Sequence, residues 1–216
     1  MFNNKECGLK VAEFLLQIKA IKLQPNKPFK WASGWNSPIY CDNRKILSYP
    51  KIRTYIRQQF VEMIVDTYGK PDVIAGVATG GIAIGALVAE EMGVPFVYVR
   101  SSTKGHGLQN KVEGVLDSSQ NVVIVEDLVS SGKSSLDALE AIREIGCKVK
   151  GMAAIFTYGF SIAQDNFKGA NCKLTTLSDY SCLLKQATAS NYINEKDLSS
   201  LKEWRTSPSS WKQNQI

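Results

Sequence analysis

The stretch VIVEDLVSSGKSS, residues 123–135, decides how the rest of the chain is read. Its second half contains Gly-Lys-Ser, the closing part of the nucleotide-binding pattern G-x-x-x-x-G-K-[ST], whose backbone N–H groups cradle phosphates. That pattern requires a glycine five residues before Gly132, where this chain has Asp127. Aspartate lacks the backbone freedom of glycine and carries the wrong charge for the start of such a loop, so a triphosphate-binding P-loop is excluded. What remains is an apolar run, an acidic pair and a small-residue turn. In an open α/β sheet that order puts Glu126 and Asp127 at the carboxyl end of a strand, where ligands bind. The turn of Leu128, Val129, Ser130, Ser131, Gly132, Lys133, Ser134 and Ser135 then leads into a helix. Its backbone N–H groups, serine hydroxyls and lysine form an anion site. Two carboxylates directly before a phosphate cradle suit a ligand with both kinds of group, a sugar phosphate. The plainer alternative is a turn whose serine caps the helix and whose acids complement its dipole. It leaves two adjacent charges at the functional edge of a sheet unexplained.

Outward from this stretch the chain alternates. Apolar runs at 72–77, 95–99, 121–126 and 149–158, with a weaker one at 173–177, read as buried strands. Helices are expected at 81–93 and about 132–145, closed by Gly93 and Gly146, and at 179–188 and 195–205. Continuous apolar strands separated by helices predict a parallel sheet covered on both faces. Upstream, Val11, Leu15 and Ile18 share a face of an amphipathic helix over 5–23. Pro50 opens a second helix, with Ile52, Ile56, Phe60, Met63 and Ile64 on one face, that Gly69 ends. Between them lies an irregular stretch, 25–44, with three prolines and two tryptophans. The expected organisation is one domain, 1–216: N-terminal helices and a lobe over 1–70, an α/β core over 71–180, and C-terminal helices over 181–216.

The composition, 44% apolar and 21% charged over 216 residues, is that of an ordinary globular protein. The net charge of +6 suits an anionic ligand. Cysteines at 7, 41, 147, 172 and 182 form no C-x-x-C pair and read as reduced thiols of a cytoplasmic protein. No apolar run approaches the roughly 18 residues of a membrane span, and neither a signal core nor a helix-turn-helix or basic stripe for nucleic acid is visible.

Residues 121–135, a hydrophobic strand, two acids and a hydroxyl- and glycine-rich loop, resemble the phosphoribosyl pyrophosphate motif of type I phosphoribosyltransferases. The resemblance implies an α/β fold with a central, mostly parallel five-stranded sheet flanked by helices and a small N-terminal hood. It implies that Glu126 and Asp127 hold the ribose hydroxyls and that residues 128–135 hold the 5-phosphate. Residues 76–85, GVATGGIAIG, lack dinucleotide spacing. They sit where the family has its pyrophosphate loop, which gives Ala78, Thr79, Gly80 and Gly81 backbone contacts to the diphosphate.

The single histidine, His106, lies in RSSTKGHGLQNKVEG (100–114), a glycine-containing segment with Arg100, Lys104 and Lys111 nearby. A lone histidine in a loop is usually incidental, but cations closing over a polyanion would stabilise a leaving pyrophosphate and exclude water. The pattern Arg-x-x-x-Lys-x-His-Gly resembles the catalytic loop of orotate phosphoribosyltransferases. On that resemblance Arg100, Lys104, His106 and Asp127 are catalytic, and the protein is a homodimer with shared active sites. Mg²⁺ is implied as well, carried by pyrophosphate and water oxygens rather than by a side-chain cluster. FKWASGWNSPIYCDNR (29–44) is similar to the family's hood segment, so Ser33, Gly34, Tyr40 and Cys41, together with Ser130 and Tyr158, would border orotate.

The activity so implied makes orotidine monophosphate from orotate and phosphoribosyl pyrophosphate in pyrimidine synthesis. Ala32, Ser101 and Tyr158 stand where many members carry a cation, and Lys30, Arg44 or Lys133 are the available substitutes. The alternatives weighed are a purine-type phosphoribosyltransferase, which should lack the hood and the Lys-x-His segment, and a non-catalytic phosphoribosyl pyrophosphate sensor, which needs no water-excluding lid.

Overall fold

The computed structural model describes residues 4–31, 34–101 and 111–212. The apolar runs pair into one six-stranded sheet. Its strands are β5 (Val73–Val77), β6 (Phe96–Val99), β7 (Val112–Glu113), β8 (Asn121–Val129), β9 (Lys148–Thr157) and β10 (Leu174–Asp179), in the order β10-β9-β8-β5-β6-β7. Five are parallel, as the runs predict. The sixth, β7, is a two-residue antiparallel edge inside what reads in sequence as loop, with Val99 opposite Val112.

Strand periodicity sends alternate side chains to opposite faces. On β8, Val123 and Val125 join a core cluster with helices α1 (Lys5–Gln17), α2 (Pro50–Tyr68), α3 (Gly80–Met92), α6 (Tyr180–Ala189) and α7 (Glu195–Thr206). Val122 and Ile124 face the other cluster, with α4 (Lys133–Glu144) and α5 (Ser161–Gly169). Both faces are therefore buried, which explains why the strands read as unbroken apolar runs. Helix α5 is absent from the expectations above.

Two expected boundaries need correction. The first helix stops at Gln17 rather than 23, because Lys19 adopts φ 54° and reverses the chain. Ile21 and Leu23 remain buried, but as strand β1 (Ile21–Leu23) paired with β4 (Ile39–Cys41). With the short hairpin of β2 (Phe29–Lys30) and β3 (Asn36–Ser37), these strands build the hood from the end of the expected helix and the stretch read as irregular. The hood is tied to the far end of the chain by Asn36 Nδ2, which donates to the Lys212 carbonyl at 2.7 Å.

The second correction bears on the site. Strand β8 does not end at Glu126: Leu128 pairs with Phe156 and Val129 with Thr157 on β9. Leu128 and Val129 belong to the strand, and the turn proper is Ser130–Gly132. Val129 is fully buried and its carbonyl accepts from Thr157 Oγ1 at 3.0 Å.

Candidate active site

The carboxyl edges of β5 and β8 lie side by side, with Gly76 opposite Val125. That register brings the turn after β5 against the acidic pair. A cavity of about 360 Å³ opens there. Its wall takes Cys41, Asp42 and Arg44 from the hood, Ala78, Thr79 and Gly80 from the β5 turn, Glu126, Asp127 and Leu128 from β8, and Ser134 from α4. Segments far apart in sequence thus meet at Asp127.

Glycine is required on the β5 turn by packing. A β-carbon on Gly80 would overlap the Asp127 carboxylate, and one on Gly81 would overlap the Val125 carbonyl. The turn can approach the acids only because these side chains are missing. Across the cavity, Gly132 has φ 82° at the start of α4, the left-handed region that favours glycine. No described side chain caps this helix, so its first N–H groups face the turn unpaired by a cap. The serine N-cap alternative is therefore not what the turn contains.

The acids differ in setting. Glu126 is 4% exposed; its Oε2 accepts from Ser135 Oγ at 3.1 Å and its Oε1 from the Asp127 N–H at 3.0 Å. Burial first, and the Asp127 charge next, push its carboxyl well above the ordinary range. Asp127 is half-buried and is also raised by burial, although Glu126 and the Arg44 charge act in the opposite direction. Two carboxyls so close cannot both ionise freely, and the pair favours holding a proton.

A contact that sequence reading missed fixes Asp127 from the hood. Asn43, 1% exposed, donates from Nδ2 to the Asp127 carbonyl at 2.7 Å and accepts from the Cys41 thiol at 3.2 Å. Burial, with the Asp127 and Asp42 charges, holds the Cys41 thiol well above its ordinary range. That thiol is a neutral donor in the wall rather than a nucleophile. Of the three substitute cations, Arg44 is the one that lines this cavity; its Nε pairs with Asp42 Oδ1 at 2.7 Å.

The remaining expectations fall as follows. Tyr40 is 40% exposed and stacks obliquely on Phe29, with centroids 5.7 Å apart. Tyr158 is buried among Trp31, Phe156, Phe160 and Trp204, close enough to Cys41 and Asp127 for their charges, after burial, to raise its hydroxyl pKa. Ser130 and Ser131 are half-buried in the turn, and Lys133 is exposed at the start of α4. Gly34 sits in a hood turn at φ 86°. Arg100 follows β6, its Nε 3.1 Å from Glu113 Oε1. Ser33, Lys104 and His106 lie outside the described residues.

Comparison with known proteins agrees with this geometry. Residues 44–178 match the model of the phosphoribosyl transferase domain family. The chain is 55% identical to an orotate phosphoribosyltransferase of Porphyromonas gingivalis over 96% of this chain and 99% of the relative. It is 49% identical to that of Listeria innocua, over 93% and 96% respectively. Among solved structures, orotate phosphoribosyltransferase from Aeropyrum pernix matches with TM-score 0.74 and 24% identity, over 85% of this chain and 99% of that one. Leishmania donovani UMP synthase matches with TM-score 0.79 and 25% identity, over 93% of this chain and 42% of that one.

Proposed function

This chain belongs to the phosphoribosyltransferase family, and within it to the orotate phosphoribosyltransferases, and from that premise we propose how its residues divide the work. The reaction moves the 5-phosphoribosyl group of phosphoribosyl pyrophosphate onto orotate, giving orotidine 5'-monophosphate and pyrophosphate for UMP synthesis. The bond from the anomeric carbon to the pyrophosphate oxygen breaks, and one from the same carbon to an orotate ring nitrogen forms. The observation that carries the division of roles is the convergence of the β5 turn, the acidic pair, the start of α4 and the hood on one cavity.

Asp127 accepts from the ribose hydroxyls, with Glu126 behind it as a proton-holding partner. The turn of Ser130, Ser131 and Gly132 and the first N–H groups of α4, with Ser134, hold the 5-phosphate. Backbone N–H groups of Thr79 and Gly80 face the diphosphate. As the anomeric bond lengthens, the sugar gains positive charge and the leaving group negative charge. Arg100, Lys104 and His106 neutralise the latter, each such contact being worth about 10²–10³ in rate. Tyr40, Cys41 and Ser130 border the flat base, and Arg44 is the wall cation best placed to offset its negative charge. The nitrogen of orotate needs little activation, because the ring is readily deprotonated.

Among the described residues no three His, Cys, Asp or Glu side chains form a metal-ligand set. Mg²⁺ fits as an ion carried by substrate and water oxygens, with Asp127 the residue that would help hold it. When bound it offsets diphosphate charge. The chain acts as one domain and as a cytoplasmic homodimer whose active sites each draw on the partner's 100–114 segment. No described helix is long and apolar enough to cross a membrane.

The test is turnover of phosphoribosyl pyrophosphate and Mg²⁺ with single bases, followed by orotate absorbance. Consumption of orotate but not of hypoxanthine or adenine is expected. Purine turnover without orotate turnover would sink the reading, and binding without turnover would make the protein a sensor.

A further inference from the structure

A cavity of about 920 Å³ lies apart from the one that holds Asp127. It is a groove between the start of α5 and helices α6 and α7, bordered by Lys185, Lys202 and Arg205. No carboxylate is among its lining residues, and none of the three cations forms an ion pair with a described acid. Among the described residues Arg205 is held by neutral acceptors, Ser181 Oγ at 3.2 Å and the Gly159 carbonyl at 3.4 Å, which position its charge without offsetting it. Leu184, Leu198 and the Tyr180 ring give the groove an apolar wall.

Beneath it lies an inner chamber of about 380 Å³ that shares Gly159, Gln164, Tyr180 and Arg205 with the groove. Its wall includes Thr176, 1% exposed, whose hydroxyl has no hydrogen-bond partner among the described residues. Native folds leave few buried hydroxyls in that state, and each calls for a reason. The acid of this inner wall, Asp179, is engaged elsewhere: it caps α6 by accepting from the Cys182 N–H at 2.8 Å.

We propose that groove and chamber together form a second ligand site, for an organic anion with an apolar body. Its acidic group sits among Lys185, Lys202 and Arg205, its body against Leu184 and Tyr180, and its inner polar end on the Thr176 hydroxyl. The site communicates with the catalytic one through α5. Phe167 lines the chamber, and its ring is so close to Gly132 that a β-carbon there would come within 2.6 Å. Asn166, on the same helix, donates to the Ser131 carbonyl at 3.0 Å. An occupant that clamps α5 therefore biases the 130–132 turn and changes affinity for the phosphorylated substrate. That coupling rests on the phosphate role proposed for the turn; the existence of the site does not.

Anilinonaphthalene sulfonate, an anion with an apolar body, is the probe, titrated by fluorescence into the full chain; phenylnaphthylamine is its neutral counterpart. One saturable sulfonate site is expected, weakened about ten-fold or more in the double variant Lys185→Glu, Lys202→Glu, with neutral-probe binding unchanged. Both lysines are exposed, so the double variant should keep the wild-type circular dichroism and orotate turnover. Thr176→Val, which keeps the shape, should weaken the sulfonate and raise the melting temperature of the free protein. Equal sulfonate affinity in wild type and double variant would overturn the site. So would simple competition by phosphoribosyl pyrophosphate, which would put the probe in the Asp127 cavity. A dimer lost in the double variant would assign the groove to a second copy and equally overturn the proposal. Saturating probe should shift the KM for phosphoribosyl pyrophosphate about five-fold in the wild type and not in the double variant. Binding without that shift would overturn the coupling. Absence of orotate turnover in untreated protein would instead count against the catalytic reading and leave the binding result standing.

Discussion

The side-chain amide of Asn43 donates to the main-chain carbonyl of Asp127 at 2.7 Å, joining the hood to the functional edge of the sheet across 84 residues of sequence. The oxygen of the same side-chain amide accepts from the Cys41 thiol, so hood strand β4 and Asp127 share one anchor. Asn43→Ala leaves a partly buried carbonyl without its partner, which costs about 1–3 kcal/mol. A lower melting temperature is expected, together with a roughly 10²-fold loss in kcat/KM from displacement of Asp127. Loss of stability with unaltered kinetics would show that the anchor does not position the acid.

Gly80 gives a second handle on the same carboxylate. In Gly80→Ala the new methyl group occupies the space of the Asp127 side chain, which must swing away. Turnover should fall about 10²-fold with little change in thermal stability, because the moving group is a flexible side-chain end. Steady-state kinetics beside a melting curve decide it, and wild-type rates would mean that Asp127 does not act where the structure puts it.

The acidic pair makes stability depend on pH in a definite direction. Glu126 has a folded pKa raised above its ordinary 4.5, chiefly by burial. Its contribution is fully present below the unfolded value and is lost as pH rises through the folded one. Glu126→Gln cannot ionise, so its stability relative to wild type should grow between about pH 5 and about pH 8. Chemical denaturation of both proteins at the two pH values measures this; a constant difference would mean that Glu126 titrates normally.

Arg100 pairs with Glu113 at the base of the 100–114 segment, in a partly exposed setting. Such pairs contribute about 0–1 kcal/mol, so Arg100→Ala should leave the melting temperature nearly unchanged while slowing turnover about 10²–10³-fold. Lys104→Ala is expected to behave likewise. An unchanged rate in either variant would remove that residue from stabilisation of the leaving group.

Tyr68 supplies the converse case. Its hydroxyl lies 2.8 Å from the Met152 carbonyl, midway along β9, and 2.9 Å from Thr175 Oγ1 near the start of β10, away from the residues that line the Asp127 cavity. Tyr68→Phe should lower stability by about 1–3 kcal/mol through the lost buried hydrogen bonds and leave KM and kcat unchanged. Changed kinetics would reveal coupling between this contact and the Asp127 cavity.

The order of strands and helices was legible because strands buried on both faces must be apolar at every position, and the main elements of the core follow that rule. Helix α5 was not, since it is only nine residues long and buries only Ala163 and Phe167, two positions that a short loop between strands could equally supply. The end of β8 was misplaced because Glu126 and Asp127 look like a strand terminus. Main-chain pairing with β9 is indifferent to side-chain charge, and the apolar Leu128-Val129 that follows was the available clue. Glu126 and Asp127 themselves were legible as a pair. Asn43 was not, because a bond from a side chain to a distant main-chain carbonyl imposes no pattern on neighbouring residues. The aromatic packing of Tyr158 was illegible for a related reason: alignment to a position where relatives carry a cation says nothing about its ring neighbours.

The cavity around Asp127 is walled by residues from 41 to 134, so none of it exists in a partly folded chain that lacks the β5–β8 pairing. Its ligand can recognise only the finished molecule. By mass action, substrate at a hundred times its Kd then raises the free energy of unfolding by about 2.7 kcal/mol. With the cavity as the phosphoribosyl pyrophosphate site proposed above, the expected consequence is a lifetime in the cell that rises and falls with the supply of substrate, read by proteolysis of the protein with and without it.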